Sequence, residues 1–401
     1  MYIFKAAVIG AGAMGGSIAQ VISYSGLPVV LKDVDQGALD AGMAKARSIY
    51  EERARKGKMS ASQIEDKMAL ISPQLDYSGF DDVDFVIEAV PEQLALKQAV
   101  FKELDGILHP GAILASNTSA LSISAMAAAT ERPSQVVGFH FFNPAHVMKL
   151  IEVIPGGESS EDTVESTVQF AKELRKIPVV VKECPGFLVN RLLSPYINEA
   201  IFALEQGAAT TEEIDAAIVG AGMPMGPFTL ADMIGLDVCY HAGETMAAAY
   251  GDRMEASHLI AKLVAAGRLG HKSGKGFYTY GDETGPTVAE LIAEVQAETG
   301  VRGTRFTSDR LILPLINEAV HCAGEGIASL GDIGLAMQAG AGFAQGPLEM
   351  ADARGLDTVL ADLEAWEREL GPRFTPAPLL REKVAAGELG QKTGRGFLEY
   401  T

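Results

Sequence analysis

Apolar residues fall into two regimes along this chain. Through residue 181 they come in short runs bounded by turn residues, alternating with longer stretches of helical period. The short runs predict strands over residues 4–9, 28–31, 83–87, 113–115, 136–139, 150–153 and 179–181. The stretches between them predict helices over 10–24, 36–57, 60–68 and 92–108. Strands alternating with helices imply βαβ units and a mostly parallel sheet. After Cys184, Pro185 and Gly186 the strand signal stops. Residues 187–206 are apolar at helical spacing and run into Gly207, a helix-ending residue. Thr211 then opens Thr-Glu-Glu-Ile-Asp, a helix start. The boundary between the two regimes is expected within 182–186.

The second regime repeats itself. Arg191 to Ala200 reads Arg-Leu-Leu-Ser-Pro-Tyr-Ile-Asn-Glu-Ala, and Arg310 to Ala319 reads Arg-Leu-Ile-Leu-Pro-Leu-Ile-Asn-Glu-Ala. Gly226-Pro227 returns as Gly346-Pro347. Gly-His-Lys-Ser-Gly-Lys-Gly-Phe-Tyr from Gly270 returns as Gly-Gln-Lys-Thr-Gly-Arg-Gly-Phe-Leu from Gly390. Three matched blocks at a near-constant offset predict two copies of one helical unit, over 185–281 and 305–401. Residues 282–304, polar and rich in Gly and Thr, read as a helix-bearing linker.

Composition narrows the class. Of 401 residues, 48% are hydrophobic and 21% charged, the balance of a globular protein with a sizeable core. No apolar run has the length of about 18 residues that a membrane span needs. The N-terminal residues lack the basic and apolar segments of a signal peptide, so a cytoplasmic protein without membrane partners is expected. Cys184, Cys239 and Cys322 are far apart, show no metal-ligand spacing, and read as core thiols; no metal is expected. The formal net charge of −19 argues against nucleic acid, which needs a basic face. One segment runs against that charge. Lys45, Arg47, Arg53, Arg55, Lys56 and Lys58 face only Glu51 and Glu52. Such an excess is either a solvated helix face or a seat for an anionic ligand.

The first strand is followed by Gly10-Ala11-Gly12-Ala13-Met14-Gly15, a G-x-G-x-x-G sequence in strand-to-helix context. Gly10 permits the tight turn, Gly12 admits a pyrophosphate to the backbone, and Gly15 lets helix and strand approach. The phosphates would meet free N–H groups at the helix N-terminus. Asp33 closes the second strand, where a carboxylate can accept both ribose hydroxyls of an adenosine. The same carboxylate repels the extra phosphate of NADP. Two unit charges about 4 Å apart at an effective dielectric of 20 cost roughly 4 kcal/mol. Lys32, leaving the strand on the opposite face, does not offset this. The expected cofactor is NAD. The fold class is therefore α/β: an N-terminal Rossmann-type doubly wound sheet over 1–184, followed by two tandem all-α domains.

Three stretches at strand ends carry candidate chemistry: Ser116-Asn117-Thr118-Ser119, His140-Phe141-Phe142-Asn143-Pro144, and Leu150-Ile151-Glu152. Ligands of open α/β sheets gather at the carboxyl ends of strands. His140, directly after the strand 136–139, can take a proton near neutral pH, and loss of a hydride from a secondary alcohol needs such a base. Glu152 would fix its tautomer. Taken singly, His140 could equally be a satisfied core histidine and Glu152 a surface carboxylate.

Together the 10–15 turn, Asp33, Ser116 to Ser119, His140 to Pro144, Lys149 to Val153 and Pro-Gly-Phe-Leu-Val-Asn-Arg from Pro185 to Arg191 resemble the L-3-hydroxyacyl-CoA dehydrogenase family. The likeness runs nearly continuously over residues 1–280, through Gly-Met-Pro-Met-Gly-Pro from Gly222 and Lys-Ser-Gly-Lys-Gly-Phe from Lys272. The resemblance implies that His140 is the general base for the 3-hydroxyl and Glu152 its partner. It implies that Ser119 and Asn190 hydrogen-bond the substrate oxygen. It makes Asp33, Glu92, Lys97, Asn117, Ser119, Asn143 and Lys275 cofactor-binding positions beside the glycine turn. It also makes segment 36–70 a helical arm over the CoA moiety of an acyl-CoA substrate, with Lys56 the first expected contact. The implied reaction is NAD-dependent oxidation of (S)-3-hydroxyacyl-CoA, short-chain by default. In the second helical copy Asp309 stands where Asn190 does and Arg395 where Lys275 does, so that copy is expected to be non-catalytic. It would pair with the first as a pseudo-dimer inside a monomer, or the chain would form a homodimer. Two other readings stay open: a dehydrogenase of a β-hydroxy acid without CoA, and a non-catalytic NAD-binding protein such as the lens crystallins that resemble this family.

Overall fold

The computed structural model describes residues 1–282 and 284–400. Its contacts divide the chain into two compact units, Met1–Phe187 and Leu188–Thr401. Among the described residues, no helix is long and apolar enough to cross a membrane.

The first unit is an eight-stranded sheet with helices. In chain order it runs β1 (Ala6–Ile9), α1 (Gly15–Ser25), β2 (Val29–Lys32), α2 (Gln36–Arg55), α3 (Ala61–Met68), β3 (Ile71–Gln74), β4 (Phe85–Glu88), α4 (Leu94–Asp105), β5 (Ile113–Ser116), α5 (Ile123–Ala127), β6 (Val136–Phe141), β7 (Leu150–Pro155), α6 (Glu161–Glu173) and β8 (Ile177–Val180). The strand order is β3-β2-β1-β4-β5-β6-β7-β8. Neighbours pair in parallel except β6 with β7. The central strands β1, β4 and β5 are buried at every position, as a parallel sheet covered on both faces requires. The chain reverses between β1 and β4, and the crevice above that switch point is where such sheets bind ligands.

Several boundaries differ from the sequence expectation. The helix expected from residue 10 starts at Gly15, because Gly10 takes φ +96° and residues 10–14 form a turn. Strand β3, Ile-Ser-Pro-Gln, carries one buried apolar residue and a proline; it is an edge strand held through β2, without a periodic signal. Strand β6 extends two residues past 139, so His140 lies inside a strand rather than after one. Its antiparallel partner β7 supplies that extra pairing. Lys32 is buried with its ammonium 4.4 Å from the centre of the Tyr77 ring.

The second unit is helical: α7 (Val189–Glu205), α8 (Thr211–Gly220), α9 (Pro227–Ile234), α10 (Leu236–Tyr250), α11 (His258–Ala265), α12 (Val288–Thr299), α13 (Asp309–Gly324), α14 (Leu330–Ala341), α15 (Pro347–Arg354), α16 (Leu356–Leu370) and α17 (Pro378–Ala385). Helices α7–α11 and α13–α17 are the two copies, and α12 lies in the segment between them. Each copy is built on one buried aspartate. Asp232 accepts the N–H groups of Phe277 (2.8 Å) and Tyr278 (2.9 Å) and the hydroxyl of Tyr280 (2.9 Å). Asp352 accepts Phe397 N–H (2.9 Å), Leu398 N–H (2.8 Å) and the Tyr400 hydroxyl (3.1 Å). A Cβ on Gly276 would stand 2.0 Å from Asp232, and one on Gly396 1.9 Å from Asp352, which explains glycine at both places.

Helices α7 and α13 pack along each other. Arg191 Nε donates to Glu318 Oε1 (2.7 Å) and Arg310 Nε to Glu199 Oε2 (3.1 Å). Arg253 and Arg373 join the same carboxylates, at 3.2 Å from Glu318 and 2.5 Å from Glu199. Each residue of one copy thus meets the counterpart of its own partner in the other. That reciprocity is the signature of an isologous, two-fold interface, here inside one chain.

Candidate active site

The cross-strand register of β6 and β7 sets His140 opposite Glu152. Alternation along both strands turns Phe139, Phe141, Ile151 and Val153 into the hydrophobic core and leaves His140 and Glu152 together on the other face. His140 Nδ1 lies 2.7 Å from Glu152 Oε2, and Nε2 lies 3.1 Å from Ser119 Oγ. Glu152 is fully buried, His140 nearly so, and Ser119 exposed. A carboxylate only accepts, so the neutral imidazole carries its proton on Nδ1 and presents the Nε2 lone pair towards Ser119. The imidazole is braced by ring contacts with Phe142 (4.6 Å) and Phe187 (5.9 Å). Phe187 holds φ +50°, an unfavourable angle for a bulky residue. The three side chains form a hydrogen-bonded chain from an exposed hydroxyl to a buried carboxylate.

Ser119 is itself held in place. Glu92 Oε1 accepts its N–H (3.0 Å) and the Thr118 hydroxyl (2.5 Å). Lys97 joins Glu92 (3.2 Å) to Glu88 (2.8 Å) and reaches the Val90 carbonyl (3.2 Å). Glu88, fully buried at the end of β4, also accepts the Ser116 hydroxyl (2.6 Å) and Val90 N–H (2.7 Å). Asn117 Oδ1 accepts Phe141 N–H (2.8 Å), tying the β5 turn to the His140 strand. Asn143 is exposed beside the cis Asn143–Pro144 peptide.

The glycine turn fits a dinucleotide. A Cβ on Gly10 would sit 2.7 Å from the Ala89 carbonyl oxygen, and one on Gly15 would sit 1.8 Å from that of Gly10. Beside Gly12 there is open space to 4 Å, room for a pyrophosphate against the backbone. Asp33 Oδ2 accepts Ala11 N–H (2.7 Å), and its other oxygen accepts Val34 N–H (2.7 Å). Met14, the N-cap of α1, makes no side-chain cap, which leaves the first-turn N–H groups for a ligand.

A basic cavity of ≈ 370 Å³ lies on the same unit, between α1, the end of α2, the 146–149 loop and the turn before β8. Arg53, Lys56, Lys58, Lys149, Arg175 and Lys176 line it against the single carboxylate of Glu52. Three buried polar atoms in its wall, Gln20 Oε1, Arg53 Nε and His146 Nδ1, have no hydrogen-bond partner among the described residues. Burial, with Lys149 nearby, pulls the Lys176 ammonium down to about 8. Burial and then Lys45 lower His146. Lys56 itself is exposed and pairs with Glu52 at 2.5 Å.

Asn190 and Lys275 belong to the second unit. Asn190 is half-buried in the first turn of α7. Lys275 lies in the turn after α11, with its ammonium 2.5 Å from the Thr284 carbonyl.

Family models match in the same arrangement: residues 5–184 match the 3-hydroxyacyl-CoA dehydrogenase NAD binding domain, and 186–280 and 306–400 match the C-terminal domain of the same family. The chain belongs to the 3-hydroxyacyl-CoA dehydrogenase family. Its cofactor is NAD. A fatty acid oxidation complex subunit alpha from Psychrobacter sp. (strain PRwf-1) is 40% identical over 401 residues, covering 96% of this chain. The chain spans 56% of that relative's length. A 3-hydroxybutyryl-CoA dehydrogenase from Escherichia coli K12 superposes with a TM-score of 0.88 at 30% identity, covering 96% of this chain and 99% of that one. An (S)-3-hydroxybutyryl-CoA dehydrogenase from Ralstonia eutropha is 40% identical with a TM-score of 0.68, covering 70% of this chain and 100% of that one.

Sequence reasoning about this dehydrogenase-family chain missed Glu88 and most of the cavity wall. A carboxylate directly after the apolar run 83–87 was a signal for Glu88. No spacing rule links Gln20, His146 and Lys176, which the sheet order alone brings together.

Proposed function

We propose that the chain catalyses the NAD-dependent interconversion of (S)-3-hydroxyacyl-CoA and 3-oxoacyl-CoA. The hydrogen-bonded Ser119–His140–Glu152 series carries the reading. His140 Nε2 accepts the proton of the 3-hydroxyl, while Glu152 steadies the imidazolium that forms. Bound NAD supplies the hydride acceptor. Ser119, with Asn190, donates hydrogen bonds to the substrate oxygen and stabilises the negative charge that develops there in the reduction direction. Glu92, Lys97, Asn117 and Asn143 are proposed to hold or frame the nicotinamide end of the cofactor, Asp33 the adenosine ribose, and Lys275 a further part of it.

The basic cavity supports CoA over a simple hydroxy acid. Its cations and the orphaned Arg53 Nε donor suit the phosphates of a CoA ester, with Lys56 at the rim. Segment 36–70, containing α2 and α3, is then the CoA-binding arm. A short-chain ester such as 3-hydroxybutanoyl-CoA is the proposed substrate. The second helical copy, with Asp309 and Arg395 at the two functional positions, is proposed to be non-catalytic, and the reciprocal α7–α13 interface to serve as an internal pseudo-dimer in a monomeric chain.

The test is acetoacetyl-CoA reduction followed by NADH absorbance. His140→Gln is expected to cut turnover by at least about a hundredfold and leave NADH binding intact. Wild-type turnover in that variant removes the assignment. Equal turnover of acetoacetate and acetoacetyl-CoA removes CoA.

A further inference from the structure

The two helical copies share a scaffold and differ on one face. In the second copy Arg354, the last residue of α15, forms a two-pronged pair with Asp309, at 2.6 and 2.8 Å, and reaches Asp362 on α16 at 2.6 Å. Asp309 is the counterpart of Asn190, Arg354 of Ile234, and Asp362 of Ala242. The surrounding scaffold is alike in both copies. Lys272 pairs with Asp237, and Lys392 with Asp357, beside the glycines Gly235 and Gly355 that join the two helices. The three ion-paired positions therefore also share a face in the first copy, where they read Asn190, Ile234 and Ala242. One turn before Ala242 on α10 stands Val238, whose counterpart is Thr358.

The side chains on that face have opposite character in the two copies. In the second copy its charges satisfy one another and it needs only water. In the first copy an amide flanks an apolar ledge that solvent should disfavour. Ile234 is 40% exposed, Val238 51% and Met233 55%, and the residues matching Ile234, Val238 and Met233 in the second copy are Arg354, Thr358 and Ala353. An amide beside exposed aliphatic side chains suits a ligand with an oxygen acceptor followed by a hydrocarbon chain. We infer that Ile234 and Val238 form the ledge for the acyl chain of the substrate beyond the oxygen held by Asn190, and so set chain-length preference. The inference rests on the proposed acyl-CoA reaction and on the role given there to Asn190. It adds two specificity-determining residues that touch no reacting atom.

The experiment compares kcat/KM for acetoacetyl-CoA and 3-oxodecanoyl-CoA with NADH. Removing an apolar contact from such a site typically costs about tenfold or more in discrimination. Ile234→Ser is therefore expected to lower the decanoyl-to-acetoacetyl ratio by about tenfold, and Ile234→Ser with Val238→Thr to lower it further. Ile234→Leu is expected to restore the wild-type ratio, and KM for NADH to stay unchanged throughout. Arg354→Ile in the second copy is expected to leave the ratio as in wild type. An unchanged ratio in both serine variants overturns the inference. So does an equal loss on both esters, which would mark the ledge as a packing surface. A shifted ratio in Arg354→Ile also overturns it. No turnover of either ester by the wild type overturns the proposed reaction itself, and the ledge with it.

Discussion

The two helical copies are an internal experiment in what function asks of a fold. Both keep the buried aspartate under the glycine turn, the Lys–Asp pair at the joint between two helices, and the arginine that crosses to the other copy's glutamate. They part at Asn190 and Asp309, and at Ile234 and Arg354. These framework residues are shared, but Asp215, which accepts Phe228 N–H in the first copy, has Gly334 in its place, and the outward residues beside α7 and α13 differ as well.

The largest effect should come from breaking what the copies share. Arg191→Met leaves Glu318 buried beside Arg253, and Arg310→Met leaves Glu199 beside Arg373. Losing one partner of a buried pair typically costs about 3–5 kcal/mol. Both variants should lower the midpoint of urea unfolding by similar amounts, as reciprocity demands. A large loss in one and none in the other would break the two-fold description.

The next effect should separate the copies. Asn190→Asp gives the first copy the residue of the second and, in the proposed reaction, sets a carboxylate against an oxygen gaining negative charge. Loss of one such donor costs about a hundredfold or more in kcat. Asp309→Asn should leave kcat and KM within about twofold, as the proposed non-catalytic role of the second copy requires. Comparable losses in both would show that the second copy takes part in catalysis.

How much of this was legible from sequence depended on whether the signal was local. The glycine turn, Asp33 and the duplicated blocks are read from contiguous residues, and the strand-helix alternation follows from local period. His140 and Glu152 are twelve residues apart, and only the β6–β7 register shows that they touch. Strand β3 escaped because an edge strand needs little apolar content. The glycine-rich block from Gly270 is the opposite lesson. It resembles a ligand loop, yet Gly276 is glycine because Asp232 leaves no room for a Cβ. The same geometry recurs at Gly396 over Asp352 in the second copy.

The smallest effect concerns the pair that the copies do not share. The Arg354 guanidinium holds the Asp309 carboxyl below the usual carboxylate range. The folded state then binds fewer protons there than the unfolded state. The pair's stabilisation is present above that usual range and is lost as pH falls through the lowered value. Both partners are partly exposed, so removing the pair with Arg354→Ala should cost below about 1 kcal/mol at neutral pH. The difference in melting temperature between wild type and variant should shrink as pH is lowered towards about 3. A difference independent of pH would show that Arg354 acts through its aliphatic stem.

The reciprocal contact between α7 and α13 has an evolutionary corollary. In an assembly of identical subunits every substitution at a two-fold interface is made twice, and its cost is doubled. When both halves are written into one gene product, each half can change alone. Away from that contact the halves already differ, as at Arg354, whose matching place in the first copy holds Ile234. A fused pair can thus diverge in one half while the reciprocal contact between the halves is kept.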